Sequence, residues 1–156
     1  MRLFIMRHGP AEEDAPSGRD FDRQLSAAGR KRTTAAAQEL RRRGERPDRI
    51  ISSPLVRAVQ TARLVASAFG IASTDVRAEL APNEDALDLV QELLVGPAES
   101  VLLVSHAPDV SLLAERLLAK SGRRVGAFSP ATIAAIELSA GQATSLFTLD
   151  AAALAP

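Results

Sequence analysis

Short apolar runs alternate with longer stretches of helical periodicity along most of the chain. Arg2–Met6 (RLFIM), Arg49–Ser52 (RIIS) and Val101–Ser105 (VLLVS) are apolar without period-two alternation, the mark of strands buried on both faces. Between them the pattern turns helical. Ser26 predicts an N-cap for a helix to about Arg43, stopped by Gly44 and Pro47. Ser53-Pro54 predicts a second N-cap, with proline as the first helical residue, for a helix ending at Phe69 before Gly70. Leu87, Val90, Leu93 and Leu94 recur at helical spacing and predict a helix over about Asp85–Val95, closed by Gly96-Pro97. Pro108-Asp109 opens another to about Lys120. Ile71–Val76 is a weak strand candidate, and Ala131–Leu138 and Ala143–Leu149 read as strands loosely joined through Gly141. Pro10–Asp22 reads as an exposed loop and Ala151–Pro156 as a fraying tail.

Buried strands alternating with helices predict an α/β fold, a three-layer α/β/α sandwich around a mainly parallel sheet. No repeat, linker or composition shift divides residues 1–156, so one domain is expected. Nineteen basic residues balance nineteen acidic ones, which removes the bulk field expected of a nucleic-acid or anionic-membrane binder. Trp and Tyr are absent, leaving few platforms for stacking bases. The absence of cysteine removes a thiolate nucleophile or metal site, and two histidines without metal-ligand spacing point to no metal and no other cofactor. The longest uncharged stretches, Val125–Ile136 and Leu138–Leu149, are 12 residues each, too short for a bilayer, so a cytoplasmic protein is expected.

Ligands of open α/β sheets bind beyond the carboxyl ends of the strands. Arg7-His8-Gly9 follows the first apolar strand, Ser53 to Arg57 the second and His106 the third. Both histidines of the chain and two arginines therefore converge on one sheet edge. Arginine offers a planar fork of donors to phosphate oxygens. A neutral imidazole attacks phosphorus near pH 7, and a second imidazole can share the charge of the transferring group. Gly9 allows close approach of the backbone, and the helix start near Pro54 adds N–H groups to an anion pocket. Taken singly, each residue has an ordinary structural explanation; their conjunction at three strand ends indicates a phosphate site.

These residues resemble the signatures of the histidine phosphatase superfamily, the phosphoglycerate mutase-like fold. Met6-Arg7-His8-Gly9 is similar to its RHG motif, Leu25–Gly29 to its L-[ST]-x-x-G segment, Ser53–Ala62 to S-P-x-x-R-A-x-Q-T-A and Leu103–His106 to its second histidine strand. The small size and Leu80-Ala81-Pro82 most resemble SixA-type phosphohistidine phosphatases. The resemblance implies that His8 becomes transiently phosphorylated, that Arg7, Arg57 and His106 hold the phosphoryl oxygens, and that water completes the reaction without a metal. Larger members carry a mid-chain acid that protonates the leaving oxygen. Glu84, in Pro82-Asn83-Glu84-Asp85, is the candidate for that role, although it also reads as a first-turn carboxylate favoured by the helix dipole; Glu12, Glu13 and Asp14 have less support. Lack of a convincing acid suits a phosphohistidine protein as substrate, because its labile P–N bond leaves with a proton already on the ring. A small-molecule phosphatase using Glu84, and a non-catalytic phosphoprotein-binding module, are the alternatives. The acidic loop Pro10–Asp22 is a candidate lid.

Overall fold

The computed structural model describes residues 1–154. Six strands form one sheet: β1 (Arg2–Arg7), β2 (Arg49–Ser52), β3 (Asp75–Val76), β4 (Ser100–Ser105), β5 (Ile133–Ser139) and β6 (Gln142–Leu149), in the order β3-β2-β4-β1-β5-β6. Parallel pairing joins β1 to β4, β4 to β2 and β2 to β3, while β5 runs antiparallel to both β1 and β6. The central sheet is thus mostly parallel, as expected.

Four helices cover it: α1 (Ala27–Arg42), α2 (Val56–Phe69), α3 (Leu87–Leu94) and α4 (Asp109–Leu118). The pleat of β1 sends Phe4 and Met6 into a core with Ala36, Ala37 and Leu40 of α1 and Ala62, Val65 and Phe69 of α2. Leu3 and Ile5 enter the opposite core with Leu89, Val90 and Leu93 of α3 and Val110, Leu113 and Leu118 of α4. Burial on both faces explains why these central strands read as unbroken apolar runs. No helix among the described residues is long and apolar enough to cross a membrane.

Several boundaries differ from the sequence expectation. Ser26 caps α1 as predicted, accepting from Gly29 N at 2.9 Å. Ser53 does not cap α2: the helix begins at Val56 with Leu55 as N-cap, and the Ser53 hydroxyl instead accepts from Leu55 N at 3.2 Å in a turn that precedes it. Pro54 lies in that turn rather than in the first helical position. α3 starts two residues later than expected because the Asp85 carboxylate accepts from Leu87 N at 2.9 Å and so acts ahead of the helix. The strand expected over Ile71–Val76 shrinks to Asp75–Val76, an exposed edge. The hairpin is tight: β5 and β6 are joined by Ala140 and Gly141 alone, at φ 50° and 79°, the left-handed pair that a two-residue turn requires. Ala151, expected to fray, is buried against α1 within a short 3₁₀ turn capped by Asp150. Residues 155 and 156 of that expected tail lie outside the described residues.

Candidate active site

β1 ends at Arg7 and β4 at Ser105, paired in register, so the two adjoining histidines leave the sheet side by side. The His8 and His106 ring centroids are 5.1 Å apart and the rings are tilted by 58°. Arg57 arrives on the first turn of α2, one strand over. Arg7, His8, Arg57 and His106 line one hollow of about 320 Å³, together with Pro10, Ala11, Asp20, Arg23, Pro82, Ala107 and Pro130.

His8 is held at both nitrogens. Nδ1 lies 2.7 Å from the Gly9 carbonyl, which can only accept, so Nδ1 carries the ring hydrogen and Nε2 the lone pair. Arg57 Nε donates to that Nε2 across 3.3 Å. Burial lowers the His8 pKa to about 4, assisted by the positive charges of Arg57, Arg7 and Arg23 and opposed by the bond to Gly9. His106 is lowered to about 3, chiefly by burial and then by His8 and Arg57. Both rings are therefore neutral at pH 7, as a nitrogen nucleophile must be.

The second ring has its own tether. His106 Nε2 lies 2.7 Å from the buried Ser53 hydroxyl, which already accepts from Leu55 N. Because Ser53 Oγ already accepts from Leu55 N, its hydroxyl hydrogen is assigned to Nε2, which puts the His106 hydrogen on Nδ1. That Nδ1 is buried without a protein partner among the described residues, and so is Arg7 Nε. Arg7 Nη1 donates to the Phe128 carbonyl at 2.9 Å, which aims the rest of its fork. A buried unpaired donor costs about 1–3 kcal/mol. Both of these donors belong to residues that line the hollow, where an oxyanion such as phosphate can supply the missing acceptor.

The loop after β1 has no room for side chains where it crosses α1. A Cβ on Gly9 meets Thr33 Oγ1, with the Gly29 carbonyl at 3.1 Å, so glycine is required for close approach rather than for an unusual φ. Gly9 N donates to the buried Thr61 hydroxyl at 3.1 Å, and Thr61 donates to the Arg57 carbonyl at 2.8 Å. One hydroxyl on α2 thus ties the strand end carrying His8 to the helix turn carrying Arg57.

Glu84 lies outside the hollow, and two residues that the sequence pattern does not single out lie within it. Glu84 is not brought into the hollow: it is exposed and lines a separate depression with Leu80, Asp85, Asp109 and Arg116. Glu12, Glu13 and Asp14 are exposed and also lie outside the hollow's lining. Asp20 and Arg23 do line it. Arg57 Nη1 donates to the Asp20 carbonyl at 2.9 Å and Nη2 to its carboxylate at 3.2 Å, while Arg23 Nε donates to the other carboxylate oxygen at 2.9 Å. Loop 10–22, read as a candidate lid, forms part of the wall. It is pinned by these bonds and by the bridge of Ala11 to Leu25. The D-x-x-R spacing before Leu25 is the only trace of this pair in the sequence.

A mostly parallel sheet with two imidazoles and two guanidinia at its carboxyl edge defines a phosphoryl-transfer enzyme of the phosphoglycerate mutase-like fold. Residues 3–82 match the model of the histidine phosphatase superfamily (branch 1), and the chain belongs to that superfamily. It is a SixA-like hydrolase of that family. The Phosphohistidine phosphatase SixA of Escherichia coli (strain K12) is 34% identical over 143 residues, 88% of this chain and 86% of that one. The SixA homolog of Haemophilus influenzae is 35% identical over 145 residues, 86% of each. The solved structure of the protein histidine phosphatase SixA complexed with tungstate superposes with a TM-score of 0.88 at 30% identity, covering 97% of this chain and 98% of that one.

Proposed function

We propose that this protein removes phosphate from phosphohistidine on another protein, by way of a covalent phosphohistidine at His8. The observation that carries the reading is the hydrogen-free Nε2 of His8, on a ring held by the Gly9 carbonyl at Nδ1 and by Arg57 at Nε2. Nε2 attacks phosphorus as the substrate's P–N bond breaks. Arg7, Arg57 and Nδ1–H of His106 take the three equatorial oxygens, and Gly9 keeps the approach open. Water then attacks the phosphohistidine, and His8 leaves as the neutral ring that its lowered pKa favours.

The choice of substrate rests on what surrounds the hollow. Pro10, Ala11, Pro82, Ala107 and Pro130 make a short-chained rim that suits a side chain presented by a protein better than a small ligand needing enclosure. Among the described residues no buried carboxylate lines the hollow, and an alkyl phosphate requires a proton donor to leave as an alcohol. The relatives from E. coli and H. influenzae carry the name phosphohistidine phosphatase, which supports the same substrate. The reading takes the cytoplasm as its setting.

Phosphate release from a phosphohistidine-bearing phosphotransfer domain, measured beside p-nitrophenyl phosphate and 3-phosphoglycerate, tests it. Fast release from phosphohistidine, abolished by His8→Ala, is expected. Preferential turnover of 3-phosphoglycerate overturns it. Binding without turnover by the wild type also overturns it, in favour of a phosphoprotein-binding module.

A further inference from the structure

Asp20 is the one carboxylate among the described residues that line the hollow. It sits in the short 3₁₀ turn Asp20–Asp22 at the mouth. Its backbone carbonyl and one carboxylate oxygen accept from Arg57, and its other oxygen accepts from Arg23. Each carboxylate oxygen has two acceptor positions, so each keeps one unspent. The side chain is 66% exposed although Arg57, its partner, is only 6% exposed, so the unspent positions are accessible at the mouth of a buried cationic site. Burial opposes its charge, but the two guanidinia prevail and hold Asp20 below the usual carboxylate range. An ionised carboxylate cannot protonate a leaving oxygen. It can accept a hydrogen bond from a cationic N–H.

From this geometry we infer that Asp20 selects N-phosphorylated substrates by accepting a hydrogen bond from the N–H of the leaving group. The inference rests on the phosphohistidine reading of the site. A phosphohistidine ring protonated on its free nitrogen is a cation, and its proton is what allows it to depart. In the transfer the His8 Nε2 lone pair forms the new N–P bond. The electron pair of the old N–P bond returns to the substrate ring, which leaves as neutral imidazole with its proton still on the far nitrogen. Asp20 holds that proton in place while the bond breaks and gains or loses none itself. The same charge repels substrates that carry a carboxylate beside the phosphate. Selection for nitrogen leaving groups thus needs no additional acid.

Two explanations compete for Asp20, since the same contacts also position Arg57. They separate on the leaving group. Phosphoramidate and a phosphohistidine domain leave through a protonated nitrogen, whereas p-nitrophenyl phosphate leaves as a phenolate that needs no proton. Asp20→Asn preserves the shape and one acceptor toward Arg57 but removes the charge; Asp20→Ala removes both. In each variant the ratio of kcat/KM for the two nitrogen substrates to that for p-nitrophenyl phosphate should fall at least tenfold. An equal loss on all three substrates overturns the inference and leaves Asp20 as a support for Arg57. The phosphohistidine reading is judged separately, on the wild type: if it releases phosphate from esters but not from the nitrogen substrates, that reading fails and the selection by Asp20 is overturned with it.

Discussion

Arg57 donates from Nε to His8 Nε2 across 3.3 Å, so the attacking nitrogen and the guanidinium that receives the phosphoryl oxygens share one geometry before any substrate arrives. One N–H on each of Nη1 and Nη2 is anchored to Asp20, and the second N–H on each stays free for the phosphoryl oxygens. A lysine supplies the charge but not the fork. Arg57→Lys should therefore lower kcat by about 10²–10³, the range for losing a charge-stabilising donor, at nearly unchanged melting temperature. A loss below tenfold in steady-state kinetics shows that charge alone is sufficient at this position.

The lowered imidazole pKa values set the acid behaviour. Because His8 is lowered to about 4, kcat/KM should hold through pH 6.5, where an ordinary histidine is half protonated, and fall only as the pH approaches 4. Stability follows the same direction. Both rings bind protons less readily folded than unfolded, so their contribution is complete above about 6.5 and is lost as the pH falls toward 4 for His8 and 3 for His106. Thermal melts at pH 7, 5.5 and 4.5 should show a progressive decline that His106→Gln reduces. A flat profile contradicts the burial argument.

Thr61 links the two catalytic segments through a single hydroxyl. Thr61→Val keeps the shape, leaves the buried Gly9 N–H without its acceptor and should cost about 1–3 kcal/mol in chemical denaturation. Since the Arg57 carbonyl loses its donor at the same time, kcat should fall while Thr61→Ser retains activity. If Val and Ser behave alike in both assays, the tie has no functional part.

Ser53 fixes which nitrogen of His106 carries hydrogen. Ser53→Ala removes the partner of Nε2 and lets the two tautomers mix. Nitrogen-15 NMR of the His106 ring should show a protonated Nδ1 in the wild type and exchange between Nδ1 and Nε2 in the variant, with reduced kcat. A wild-type ring protonated at Nε2 refutes the assignment.

Glu84 provides the contrast. It is exposed and lies outside the hollow, so Glu84→Gln should alter kcat/KM less than about twofold on phosphohistidine and on alkyl phosphates alike, well below the usual effect of a general acid. A selective loss on alkyl phosphates restores it as an acid.

The legible part of the site is the part attached to buried strands. Arg7 ends β1, and His8 and His106 follow β1 and β4, whose apolar runs announce themselves because both faces of each strand are covered. Arg57 could be read from the second strand and the helix after it, although Ser53 was assigned the wrong hydrogen bond: its hydroxyl serves the turn and His106 rather than the helix. Asp20 and Arg23 were not legible because no periodicity governs loop 10–22. Its path is set by Arg57, 37 residues away in sequence, which bonds to the Asp20 backbone, and a backbone acceptor leaves no mark in side-chain pattern. Glu84 lies outside the hollow for the opposite reason. It had the right residue type in a plausible segment, but which depression it borders depends on how that segment packs beside α4.

The strand that carries the nucleophile comes first in the chain, yet its neighbours in the sheet are β4 and β5, formed by residues 100–105 and 133–139. On the ribosome, β1 therefore stays unpaired until residues 100–105 have been made, and its second edge until residues 133–139 have. Closing such distant contacts is slow and leaves an apolar strand unpaired during synthesis. Fragments that end before residue 100 lack β4, the strand that places His106 beside His8, so such a copy cannot act as a stray phosphatase.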